Sequence, residues 1–197
     1  MKVQPPSYAR PQAGNKKDSS GLQHRKPTIF RYPVLTPLGP LELSWTSHGL
    51  RGLSWCVRSP NSPPQHSVPF PSWLDRLVAT LQLYGRGRPV RFRGIPIDWT
   101  SLRPFQRLVL RACRRIPYGK TISYQELAQR IGRADAVRAV ARALATNPLP
   151  IIIPCHRVVR KGGSLGGYSA PGGRALKRRL LMMEKQTAVA SASNTTS

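Results

Sequence analysis

Nine residues from Ile151 to Val159, Ile-Ile-Ile-Pro-Cys-His-Arg-Val-Val, restrict the fold more than any other stretch of the chain. Three consecutive isoleucines predict a strand buried on both faces. Pro154 lacks the N–H that would extend a ladder, so the chain is expected to turn at Cys155. His156 follows directly, and Gly162-Gly163 and Gly166-Gly167 let the downstream backbone close over that turn. Free cysteine is normally buried and inert. A thiol at a strand end, beside a proline break and an imidazole, reads instead as a nucleophile.

The charge balance narrows the partners. Lys and Arg number 32 against 7 Asp and Glu, a net charge of +25 over 197 residues. Such an excess points to a polyanion, nucleic acid first and an anionic membrane second. No apolar run approaches the roughly 18 residues of a spanning helix, and the amino terminus has no apolar signal core. A soluble, intracellular protein is expected, cytoplasmic and nucleoid-associated, or nuclear in a eukaryote. Cys56, Cys113 and Cys155 show no C-x-x-C spacing, and His24, His48 and His66 have no ligand spacing with them. Neither a disulfide framework nor a metal site follows.

Residues 1–27 are Pro-, Gln- and Ser-rich with six basic residues, and read as a disordered basic tail; residues 186–197 read as a second one. Between them lie an expected amino-terminal α/β domain over 28–97 and a second domain over 98–185. In the first, strands are predicted over Ile29 to Thr36, Leu41 to Thr46 and Leu50 to Val57, with hairpin punctuation at Pro37-Leu-Gly-Pro40 and Ser47-His-Gly49. After a Pro/Ser-rich connector, Trp73, Leu74, Leu77, Val78, Leu81 and Tyr84 mark an amphipathic helix. Val90 to Ile97 is expected to add a strand. Cys56 reads as core packing.

In the second domain, Phe105, Leu108, Val109, Ala112 and Ile116 place one buried stripe on a helix from Ser101 to Arg115. Ser123-Tyr-Gln-Glu126 is a capping box opening a short helix that Gly132 ends. A third helix is expected from Asp135 to Ala145, stopped by Asn147-Pro148. The short Gly-containing turn between these two helices makes a helix-turn-helix candidate. Arg138 and Arg142 share one face of its Ala-rich second helix, which suits a nucleic-acid groove and equally a packing helix with solvated arginines. From Ser101 to Lys185 there are 18 basic and 3 acidic residues, which favours DNA.

A free thiol of pKa about 8.5 is mostly protonated at neutral pH and needs a base. His156 serves only if the chain turns sharply or a water bridges, because adjacent strand residues face opposite ways. Of the acids in this half, Glu126 is occupied by capping and Asp135 begins a helix, which leaves Glu184, near the end of a helix from Arg174 to Lys185, to hold the base. Tyr124 and Tyr168 read either as proton donors or as packed rings.

Pro154-Cys-His-Arg-Val-Val159, with Arg138-Ala-Val140, Asn147-Pro148, Gly166-Gly-Tyr168 and Leu180-Leu181, resembles the methylated-DNA–protein-cysteine methyltransferases, the O6-alkylguanine-DNA alkyltransferases. The likeness extends from about Thr36 to Glu184 and takes in Thr36-Pro-Leu-Gly39, Ile116-Pro-Tyr-Gly119 and Ser123-Tyr124. It departs where Ala141-Arg142 follow Arg-Ala-Val in place of the family's frequent Gly, where Leu110 replaces a Trp, and at Arg103-Pro104.

The resemblance implies an α+β fold, a ribonuclease-H-like amino-terminal domain followed by a helical, winged-helix-like DNA-binding domain. It implies direct reversal of O6-alkylguanine, with O4-alkylthymine as a further substrate, by a monomer without cofactor or metal that flips the base and reacts once. Cys155 would take the alkyl group, His156 would activate it through a water, Glu184 would orient His156, and Tyr124 would donate to the departing guanine. The backbone at Val158 and Ser169, closed over by the Tyr168 segment, would bind the base edges. Arg138 would fill the vacated stack, and Asn147 would fix the turn before Cys155. A Cys-His-Glu hydrolase uses the same residue types, but the charge opposes it. A noncatalytic DNA-lesion-binding protein is the alternative, and it leaves Pro-Cys-His unexplained.

Overall fold

The computed structural model describes residues 27–55 and 70–193. The basic tail over 1–26, Cys56, His24 and His66 lie outside the described residues, as does most of the Pro/Ser-rich connector. Among the described residues the architecture is mixed α/β, small sheets with five α-helices.

Strands β1 (Phe30–Thr36), β2 (Gly39–Thr46) and β3 (Gly49–Trp55) form an antiparallel meander in the order β1-β2-β3. Leu41, Leu43 and Trp45 alternate along β2 toward the core, as a half-buried strand requires. Gly49 has φ +124° and lies so close to Pro96 that a Cβ there would meet its carbonyl carbon at 2.7 Å, so the second hairpin depends on glycine. Helix α1 (Leu74–Gly85) lays Leu74, Leu77, Leu81 and Tyr84 into the core.

The strand expected over Val90 to Ile97 is not formed; one isolated bridge, Leu50 to Ile97, is all that pairs there. Pro89, Gly94 and Pro96 interrupt the ladder, and the Arg114 side chain takes the Phe92 carbonyl at 3.0 Å. Asp98 is buried; its carboxylate accepts from Thr46 Oγ1 at 2.7 Å and from the Thr100 amide at 2.9 Å.

Helix α2 runs Pro104–Cys113, shorter than the Ser101 to Arg115 expected, because Pro104 takes the first helical position, where its missing N–H costs nothing. Strand β4 (Ile122–Ser123) leads into α3 (Tyr124–Arg130), whose capping box is complete: Ser123 Oγ accepts from the Glu126 amide and the Glu126 carboxylate accepts from the Ser123 amide. Gly132 at φ +69° follows, and α4 (Val137–Ala145) begins two residues after the Asp135 expected. Helices α2, α3 and α4 pack on one another through Val109, Leu110, Leu127, Val140 and Leu144.

The largest departure is at Ile151 to Ile153, which is a buried turn rather than a strand. Pro148, Pro150 and Pro154 remove the alternate donors of a ladder. The remaining groups are bonded locally: the Ile153 amide donates to the Leu149 carbonyl at 2.8 Å, and Asn147 takes the Ile153 carbonyl. Ile151 is held at φ +74°, uncommon for a β-branched residue and costing about 1–3 kcal/mol that the surrounding packing must offset.

Cys155–Arg157 form a 3-10 turn, followed by β5 (Val158–Val159). β5 pairs in parallel with β4, Ile122 opposite Val158 and Ser123 opposite Val159. Helix α5 (Gly173–Ser193) runs past the Lys185 end expected for it.

Candidate active site

The site is built backward from Asn147, just past the end of α4. Its Oδ1 accepts from the Leu149 amide at 3.0 Å, and its Nδ2 donates to the Ile153 carbonyl at 2.9 Å and to Cys155 Sγ at 3.1 Å. One amide thus folds the 147–153 turn and meets the thiol at its end. The resemblance implied that Asn147 fixes this turn; the contact with sulfur is additional.

Cys155 is buried, and burial pushes its thiol up, against the Asn147 hydrogen bond, the Lys177 ammonium and nearby backbone amides, which favour the thiolate. The resting group is therefore a thiol. Its neighbour is turned by the 3-10 geometry toward a different partner: His156 Nε2 lies 2.9 Å from Glu184 Oε1. The His156 backbone amide faces the sulfur, but among the described residues no hydrogen bond joins the Cys155 thiol to the His156 imidazole.

His156 is fully buried, and burial lowers its pKa more than the Glu184 carboxylate raises it, so the imidazole is neutral. A carboxylate can only accept, which places the imidazole proton on Nε2. Nδ1 then carries a free lone pair, and it is buried without a hydrogen-bond partner in the protein. The ring is held by one edge and basic at the other.

Besides His156, Glu184 collects donors from three further residues. Tyr84 Oη donates to its Oε1 at 2.7 Å, Arg157 Nε to Oε2 and Nη2 to Oε1 at 2.9 Å each, and the Gly119 amide to Oε2 at 3.1 Å. Burial alone would raise its pKa; the hydrogen bonds from His156 and Arg157, with the Arg157 charge, prevail and hold it at about 2. Arg157 Nη1 reaches the Ile116 carbonyl at 2.7 Å, so the guanidinium is itself fixed.

Beyond the thiol, Lys177 is completely buried, its ammonium donating to the Val158 carbonyl at 2.7 Å and lying 5.8 Å from the centre of the Tyr124 ring. The Tyr124 hydroxyl presses on Gly166, where a Cβ would come within 2.5 Å of its oxygen. The Tyr168 hydroxyl is buried with no hydrogen-bond partner, and burial raises its pKa. Ser169 is exposed at the rim, and Arg138 and Arg142 are exposed on α4.

Cys155, His156, Glu184 and Asn147 are thus brought together through direct bonds or chain adjacency. Tyr124 and Tyr168 share the electrostatic neighbourhood of the thiol. Tyr84, Arg157 and Lys177 escaped the sequence reading. Lys177 had a signal, since positions 177, 180 and 184 share one face of α5, where Leu180 is apolar and Glu184 was already nominated to hold the base. Tyr84 closes the buried stripe of α1, and a buried phenol needs a partner. Among the described residues no group of three His, Cys, Asp or Glu side chains is placed to hold a metal, and no helix is long and apolar enough to cross a membrane.

Residues 104–186 match the family described as 6-O-methylguanine DNA methyltransferase, DNA binding domain. The mouse methylated-DNA–protein-cysteine methyltransferase is 36% identical over 173 residues, 79% of this chain and 81% of its own length. The Mycobacterium tuberculosis protein of that name is 38% identical over 155 residues, 79% of this chain and 92% of its own. The crystal structure of Mycobacterium tuberculosis OGT in complex with DNA superposes with a TM-score of 0.66 at 37% identity, covering 79% of this chain and 92% of that one. With relatives this similar over 79% of its length, the chain belongs to the methylated-DNA–protein-cysteine methyltransferase family.

Proposed function

We propose that this protein repairs DNA by direct reversal, moving the alkyl group of O6-alkylguanine to Cys155 in a single turnover. The observation that carries the reading is the state of His156, the residue next in the chain to Cys155: neutral, its Nε2–H fixed on Glu184 and its Nδ1 lone pair buried without a protein partner, while burial keeps the Cys155 thiol protonated. The thiol proton passes through one water to Nδ1, and the imidazolium so formed is stabilised by the Glu184 carboxylate. The thiolate sulfur attacks the alkyl carbon, a C–S bond forms and the C–O6 bond breaks. The electron pair returns to the guanine ring, which Tyr124 Oη protonates or hydrogen-bonds as it leaves. The thioether has no route back to thiol, so the protein reacts once.

The base must leave the stack to reach a buried sulfur. α4 is the docking element, Arg138 fills the vacated space, and the backbone at Val158 and Ser169, with the Tyr168 loop, holds the base edges. Within this reading the α+β fold divides near Asp98 into a ribonuclease-H-like domain over 28–97 and a winged-helix-like DNA-binding domain over 98–185. The protein acts as an intracellular monomer, and O4-alkylthymine is a second substrate of the same pocket.

Mass spectrometry after incubation with duplex DNA containing O6-methylguanine tests the reading. One added methyl per protein, on Cys155, is expected, with reaction stopping at one equivalent. Lesion binding without transfer would instead indicate a noncatalytic damage-binding protein, and label on Cys113 would displace the assignment of the nucleophile.

A further inference from the structure

A cleft of about 990 Å³ opens on a part of the surface that the proposed chemistry does not use. One wall is the irregular 89–94 segment and the other is the end of α2; the floor includes Ile151, Ile152 and Pro154, the turn that leads to Cys155. Cys155, Tyr124, Tyr168 and Arg138 are not among its lining residues. Its charge is one-sided. Arg91, Arg93, Arg111, Arg114 and Arg115 line it and no carboxylate does; Arg157, at its edge, is already paired with Glu184.

The arginines divide into two groups. Arg114 is tied to the Phe92 carbonyl, and Arg111 lies over the Trp99 ring at 5.2 Å, so these two shape the walls. Arg91, Arg93 and Arg115 are exposed, with no side-chain hydrogen bond or ion pair among the described residues. Three unpaired guanidiniums held around a concave surface repel one another, at a cost that a bound polyanion would relieve. The aromatic rings of the cleft are engaged in packing: Phe92 and Tyr118 both meet Tyr84 at 6.1 Å. Recognition there falls to charge and shape rather than to base stacking. A duplex about 20 Å across does not enter a cleft of this volume, whereas the backbone of one strand does.

We infer that this cleft is a second nucleic-acid site, one that takes the phosphodiester backbone of a single strand. It is separate from the α4 face, so a duplex on α4 and a strand in the cleft are held at the same time. Each neutralised phosphate of a single strand contributes about 0.7 to the log-log salt slope.

The test uses the full-length protein, a fluorescent oligothymidylate and an unlabelled duplex hairpin. Wild-type protein saturated with hairpin is expected to bind the strand still. Arg91→Ser/Arg93→Ser/Arg115→Ser should weaken strand binding at least about tenfold and lower its salt slope by about 2, while hairpin affinity and melting temperature stay near wild type. Arg138→Ser/Arg142→Ser should do the reverse. The inference is overturned if the hairpin displaces the strand fully, if the triple variant weakens both ligands equally, or if inorganic tripolyphosphate competes as well as the oligonucleotide at equal phosphate concentration. The first two outcomes would show a single general electrostatic surface and the third a small-anion site.

Discussion

Gly166 sets the tightest tolerance in the pocket. A methyl group there would come within 2.5 Å of the Tyr124 hydroxyl and 2.9 Å of a ring carbon, and a phenol ring has no flexible end to yield. Gly166→Ala therefore has to displace Tyr124, and a displacement of about 1 Å at a reacting group costs on the order of 10²-fold. Single-turnover transfer from free O6-benzylguanine is expected to slow by about ten- to a hundredfold, with DNA affinity unchanged because the α4 face is untouched. A wild-type rate would remove Tyr124 from contact with the leaving group. At this scale the sequence was informative where chemistry is rare. Cys155 and His156 stand out from an apolar run, and Glu184 stands out because acids are scarce. It was silent on Arg157 and Tyr84, whose roles depend on partners 27 and 100 residues away.

Among elements, α4 carries the sharpest expectation. Most arginines of the chain attract phosphate without regard to damage, so removing one weakens intact and lesioned duplex alike. If Arg138 occupies the place of an extruded guanine, it offsets an unstacking cost of a few kcal/mol that only duplex DNA imposes. Arg138→Ala is expected to slow repair of duplex O6-methylguanine at least about tenfold, which corresponds to about 1.4 kcal/mol, and to leave reaction with free O6-benzylguanine near wild type. Equal slowing of both substrates would place Arg138 in the fold or the chemistry. The helices were legible because each carries its own apolar period, and α3 carries in addition a side-chain cap from Ser123 and Glu126. The Ile151 to Ile153 segment was misread because β propensity was weighed without the spacing of Pro148, Pro150 and Pro154. That spacing leaves too few donors for a ladder, and the Asn147 side chain supplies the local alternative.

At the scale of the molecule, the buried network sets the response to acid. Glu184 is held at about 2 against an ordinary 4.5, so its contribution, about 3 kcal/mol at neutral pH, is full above pH 4.5 and lost as pH falls toward 2. His156 is held below its ordinary 6.5, so the unfolded chain takes up that proton first and stability begins to fall below pH 6.5. Both effects have the same sign. Urea midpoints are expected to be level from pH 8 to 6.5, to decline below that, and to drop most steeply between 4.5 and 2. Glu184→Gln should lower the plateau, because Arg157 loses its counter-charge, and flatten the steepest part; an unaltered acid limb would mean that other carboxylates govern it. The same network limits how freely the halves of the chain can be exchanged. The phenol of Tyr84 comes from α1, yet it bonds the carboxylate that holds the base. A chimera joining residues 98–185 to a foreign amino-terminal half would keep Cys155 and α4. It would also open a polar vacancy against Glu184, unless the graft ended its last helix with a hydroxyl at the same height.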